Sequence, residues 1–88
     1  MENHNTNTHK KPLPWSPSKS QVYTIYVKYN KKTIKDEITV IMAKHRKKTE
    51  DQVNNVRILL HPEFVSLVKF LGVPKGYYAP DGFFESPV

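Results

Sequence analysis

Between Val22 and Met42, β-branched and aromatic residues alternate with polar ones on either side of a polar break, Asn30-Lys31-Lys32-Thr33. Side chains on a strand alternate with period two, so Tyr23, Ile25, Val27 and Tyr29 share one face, and Ile34, Ile38, Val40 and Met42 share one face beyond the break. This pattern predicts an antiparallel β-hairpin, residues 22–29 and 34–43. Tyr29 opposes Ile34, Ile25 opposes Ile38 and Tyr23 opposes Val40 on its apolar side. The solvent side then carries Thr24, Tyr26, Lys28, Lys35, Glu37 and Thr39.

Further along, Thr49-Glu50-Asp51-Gln52 has the form of a helix start. A threonine caps, a glutamine three residues on closes the box, and two acids sit in the first turn. Residues 50–60 then fit two descriptions, one helix or a short helical turn followed by a third strand near 56–60. Pro62 suits the first turn of a helix, and Phe64, Leu67, Val68 and Leu71 recur at helical spacing. Gly72 and Pro74 stop it, which predicts a helix over 62–71. The fold expected is α+β: a small antiparallel β-hairpin or three-stranded sheet covered by one or two short helices.

Outside this unit the patterning fails. Residues 1–20 are rich in Asn, Thr, His, Ser, Pro and Lys and read as a disordered basic tail. Residues 21–72 form the single domain, and residues 73–88 an irregular aromatic segment broken by prolines and glycines. In the first tail, prolines 12, 14 and 17 favour extended backbone, with Leu13 and Trp15 as its large apolar groups. Trp15 reads either as an anchor for a partner or as cover for the chain's own core. In the last segment Tyr77, Tyr78, Phe83 and Phe84 pose the same choice. Ser16-Pro17-Ser18-Lys19 has the form of a proline-directed phosphorylation motif, and Ser86-Pro87-Val88 has a hydroxyl two residues before an apolar end.

Composition sharpens the picture at two points. With 88 residues and no cysteine, the chain has a thin core and neither disulfides nor thiolate zinc to support it. Its charge is also lopsided. Residues 1–48 hold eleven Lys/Arg against three acids, a net of +8, whereas residues 49–88 hold three against five, a net of −2. A one-sided positive field attracts polyanions.

No phosphate loop, nucleophile elbow or metal-ligand spacing occurs, and the four histidines are scattered, so no enzyme activity, cofactor or metal is expected. No apolar run approaches a membrane span, and the first residues lack the apolar stretch of a signal peptide. The expected compartment is intracellular and cytoplasmic, with the basic run Lys44 to Lys48 leaving a nuclear address open.

Two functions of different classes follow. The first is binding of nucleic acid or a ribonucleoprotein, with Lys28, Lys31, Lys32, Lys35, Lys44, Arg46, Lys47 and Lys48 engaging phosphates and Tyr26 offering a stacking face. The alternative is a small adaptor, inhibitor or assembly subunit that docks on a larger protein through Leu13, Trp15, Phe83 and Phe84.

Overall fold

The computed structural model describes residues 10–85, and its architecture is helical. Strand β1 (Lys11–Pro12) is followed by helices α1 (Lys19–Ile25), α2 (Lys31–Arg46), α3 (Glu50–Val53) and α4 (His61–Leu71), then by strand β2 (Tyr77–Tyr78). The expected hairpin is absent: residues 22–25 lie in α1 and residues 34–43 lie inside α2. No three-stranded sheet forms among the described residues. The one sheet is the parallel pair β1–β2, with Lys11 opposite Tyr77 and Pro12 opposite Tyr78.

The physical reason for this correction lies in the spacing. Ile34, Ile38 and Met42 recur every four residues, which satisfies both a strand face and one helical turn. The same holds for Val22 and Tyr26, and all five are buried. End signals decide between the two. The Ser18 hydroxyl accepts from the Gln21 N–H at 3.1 Å, and the Gln21 side chain accepts from the Ser18 N–H at 2.9 Å, a complete capping box for α1. Asn30, the expected turn residue, instead caps α2 by accepting from the Thr33 N–H at 3.1 Å. Caps of this kind contribute about 1 kcal/mol each, enough to tip an ambiguous pattern.

Thr49 and Gln52 form the expected box at α3, and the chain leaves the helix after Val53. Asn54 and Asn55 make a turn, closed by the Val56 N–H on the Val53 carbonyl at 3.1 Å, and residues 56–60 follow outside any helix. Here the Lys19 N–H donates to the Arg57 carbonyl and the Leu59 N–H to the Pro17 carbonyl, both at 2.8 Å. Ser18 and Ile58 form a single antiparallel bridge between the two runs. Helix α4 starts one residue before the expected position and ends at Leu71, with Gly72 beyond it at φ +90°, where a glycine is favoured.

Helix α2 packs on α3 and α4. The core between the helices comprises Val22, Tyr26, Ile34, Ile38, Met42, Val53, Leu59, Phe64, Leu67 and Val68, and it is completed from both flanks by Leu13 and Phe83. Residues 10–20 and 77–85 thus lie against the helical unit. The expectation of disorder over residues 1–9 and the motif at Ser86 to Val88 both lie outside the described residues.

One ring joins the two flanks. His61, the first residue of α4, places Nδ1 2.8 Å from the Trp15 carbonyl oxygen and Nε2 2.8 Å from the Phe83 carbonyl oxygen. Its imidazole stacks on the Trp15 indole at 3.7 Å between centroids and 3° between planes. Carbonyl oxygens only accept, so the ring nitrogen that carries the hydrogen is the donor in each of these contacts. His61→Phe keeps a flat ring against Trp15 but leaves two carbonyls without their partner. It is expected to cost about 1–3 kcal/mol in chemical denaturation.

Candidate nucleic-acid interface

The structure divides the predicted cations between the two ends of α2, a helix of 16 residues and so about 24 Å long. Lys28 lies in the turn before it, and Lys31, Lys32 and Lys35 lie in its first turns, all exposed. Lys44, Lys47 and Lys48 are exposed at the far end, where cations offset the negative end of the helix dipole. Between them the exposed residues include Asp36 and Val40, so the helix offers no continuous basic stripe. Lys32 pairs with Asp36 at 3.0 Å, an exposed contact of the kind worth little. The Lys31 ammonium sits 4.8 Å from the centre of the Tyr23 ring.

Arg46 has a different occupation. Its Nε and Nη2 donate to the two oxygens of Glu63 at 2.8 and 3.0 Å, and Nη2 also donates to the Ile58 carbonyl at 3.2 Å. Glu63 is fully buried; it also accepts from the Leu60 N–H at 2.8 Å and meets His45 Nδ1 at 3.0 Å. Burial would push the carboxyl up, but the Arg46 hydrogen bonds, the Leu60 N–H and the Arg46 charge together hold it below the usual carboxylate range. Arg46 thus holds α2 to the start of α4, and the guanidinium is not a free phosphate ligand.

Tyr26, the expected stacking face, is 1% exposed. Its hydroxyl donates to the Gly72 carbonyl at 2.7 Å, and burial, followed by the neighbouring Tyr29, pushes its ionisation well up. Tyr29 takes the outer position. It stands edge-on to Tyr26 at 5.1 Å, donates its hydroxyl to the Leu71 carbonyl at 3.2 Å and stays 42% exposed. Leu13 and Phe83 are core residues, while Trp15 and Phe84 remain 47% and 42% exposed.

Two clefts adjoin at Ile25. One, of about 400 Å³, is lined by Ile25, Tyr26, Val27, Lys28, Tyr29, Pro74 and Lys75. The other, of about 530 Å³, is lined by Lys11, Pro12, Pro14, Ser20, Gln21, Thr24, Ile25 and Tyr77. Each sets a tyrosine beside one or two lysines; the rest of the first is apolar, and the second adds Ser20, Gln21 and Thr24 to its apolar residues. Of the residues expected to bind nucleic acid, Lys28 is the one that lines a cleft with a solvent-accessible aromatic; Tyr26 contributes to its wall. The hairpin reading turned Tyr29 inward and gave Lys75, Tyr77 and Lys11 no part in nucleic-acid binding. The sequence signal that bears on this region is the capping pattern Ser18-x-x-Gln21, which makes 19–25 a helix and leaves Tyr29 in the turn beyond it.

Among the described residues no group of three or more His, Cys, Asp or Glu side chains is placed to hold a metal ion. No described helix is long and apolar enough to cross a membrane. Comparison with known proteins finds no family model, no curated protein and no solved structure that matches the chain.

Proposed function

We propose that the protein binds single-stranded nucleic acid, with Tyr29 as a stacking platform and Lys28 and Lys75 as phosphate contacts. The observation that carries this reading is the pair of adjoining clefts, each setting a tyrosine beside lysine. A base in a duplex has its faces covered by its neighbours, whereas an unpaired base can enter a cleft and stack on an aromatic ring. Tyr77 with Lys11 would receive the next nucleotide along the strand. The uneven charge supports the same reading, since nine Lys/Arg and two acids fall between residues 19 and 48.

The test is anisotropy of a short labelled single strand, titrated at several salt concentrations. Tyr29→Ala is expected to weaken binding about 5- to 150-fold, the worth of one base–aromatic stack. Lys28→Ala and Lys75→Ala should each lessen the salt slope by about 0.7. Equal binding by the parent and Tyr29→Ala would leave only unspecific charge attraction and defeat the proposal.

A second reading, docking on a larger protein, is favoured by the exposure of Trp15 and Phe84. It places the contact on those two side chains, because Leu13 and Phe83 are occupied in the core.

A further inference from the structure

Ser16 is exposed, and its hydroxyl donates to the Leu59 carbonyl. It therefore belongs to the seam in which residues 15–19 run antiparallel to residues 57–61. That seam holds the Leu59 N–H on the Pro17 carbonyl at 2.8 Å and His61 Nδ1 on the Trp15 carbonyl at 2.8 Å. The following Pro17 disfavours the helical region at Ser16, which lies in a bend of the chain before α1. Lys19 completes the sequence Ser-Pro-x-Lys, the pattern selected by proline-directed kinases with a basic preference.

We infer that Ser16 is a phosphorylation site whose modification unlatches residues 15–18 from residues 57–61. In the transfer, Ser16 Oγ attacks the terminal phosphorus of a nucleoside triphosphate. The new Oγ–P bond replaces the P–O bond to the departing diphosphate, and the hydroxyl proton passes to the kinase's base. Oγ of the product is an ester oxygen with no hydrogen to donate to Leu59. It sets about −1.5 to −2 charges beside a carbonyl oxygen that formerly accepted a hydrogen bond. Repulsion replaces attraction at the centre of the seam, and Trp15, one residue away, loses the backbone anchor that keeps it stacked on His61.

The experiment uses the full chain with a proline-directed kinase that requires a basic residue two positions beyond the proline, with ATP and magnesium. Peptide mapping locates the phosphate, because Ser86-Pro87 is a second Ser-Pro pair; Ser16→Ala identifies the signal from residue 16. The expected result is phosphate on Ser16, amide exchange at Leu59 faster by about tenfold, and a changed Trp15 emission as its stack opens. Absence of phosphate on Ser16 would overturn the inference. So would phosphate on Ser16 with exchange at Leu59 and emission of Trp15 unchanged.

Discussion

Glu63→Ala is expected to lower the unfolding free energy by about 3–5 kcal/mol, the usual cost of removing one partner from a buried ion pair. The carboxylate is fully buried and receives the Arg46 guanidinium through two hydrogen bonds and the Leu60 N–H through a third. Truncation takes the acceptor from the Leu60 N–H, leaves Arg46 only the Ile58 carbonyl, and loosens α2 from the start of α4. Urea denaturation measures the effect. A loss under about 1 kcal/mol would mean that the pair behaves as an exposed salt bridge. Acid acts on the same group. Its folded carboxyl is held below the ordinary glutamate value of about 4.3, so its contribution is complete above that value and is lost as pH falls through the lowered one. The stability curves of the parent and Glu63→Gln should therefore converge in acid.

Phe83→Ala is expected to cost about 3–5 kcal/mol, a large share of the roughly 5–15 kcal/mol that holds a small domain together. Phe83 is 1% exposed and meets Trp15, His61, Phe64 and Phe84 edge to face, with centroids 4.8 to 5.8 Å apart. Its carbonyl also holds His61. Truncation opens a cavity and loosens both flanks together, so the loss should appear in the global transition and in Trp15 fluorescence. The half-exposed neighbour supplies the contrast: Phe84→Ala should stay within about 0.5 kcal/mol. A loss from Phe83→Ala as small as that from Phe84→Ala would place the last segment outside the core.

The parts of this fold that could be read from the sequence are those with end signals as well as a periodic stripe. Helix α4 has a proline at its start, apolar residues at four helical positions and a terminating glycine. Helix α3 has a threonine–glutamine box. The region from Val22 to Met42 misled because its apolar residues are spaced by four, a number common to both periods, and because β-branched residues are frequent there. Asn30 could serve as a turn residue or a cap, and nothing local distinguishes the two. Reading the hairpin also reversed the two tyrosines: Tyr26, expected on the solvent side, is 1% exposed, and Tyr29, expected on the apolar side, is 42% exposed. The burial of Leu13 and Phe83 has no local pattern behind it; it follows from contacts between segments some seventy residues apart in the sequence. Arg46 looked like one more member of a basic run because its partner, Glu63, lies 17 residues away.

The most direct test of the functional account is a map of amide chemical shifts as a short single strand is added at low salt. The account predicts changes centred on residues 25–29 and 74–77, where the two clefts meet, and their loss on Tyr29→Ala. Shifts confined to Lys44, Lys47 and Lys48 at the far end of α2, or no shifts at all, would contradict it.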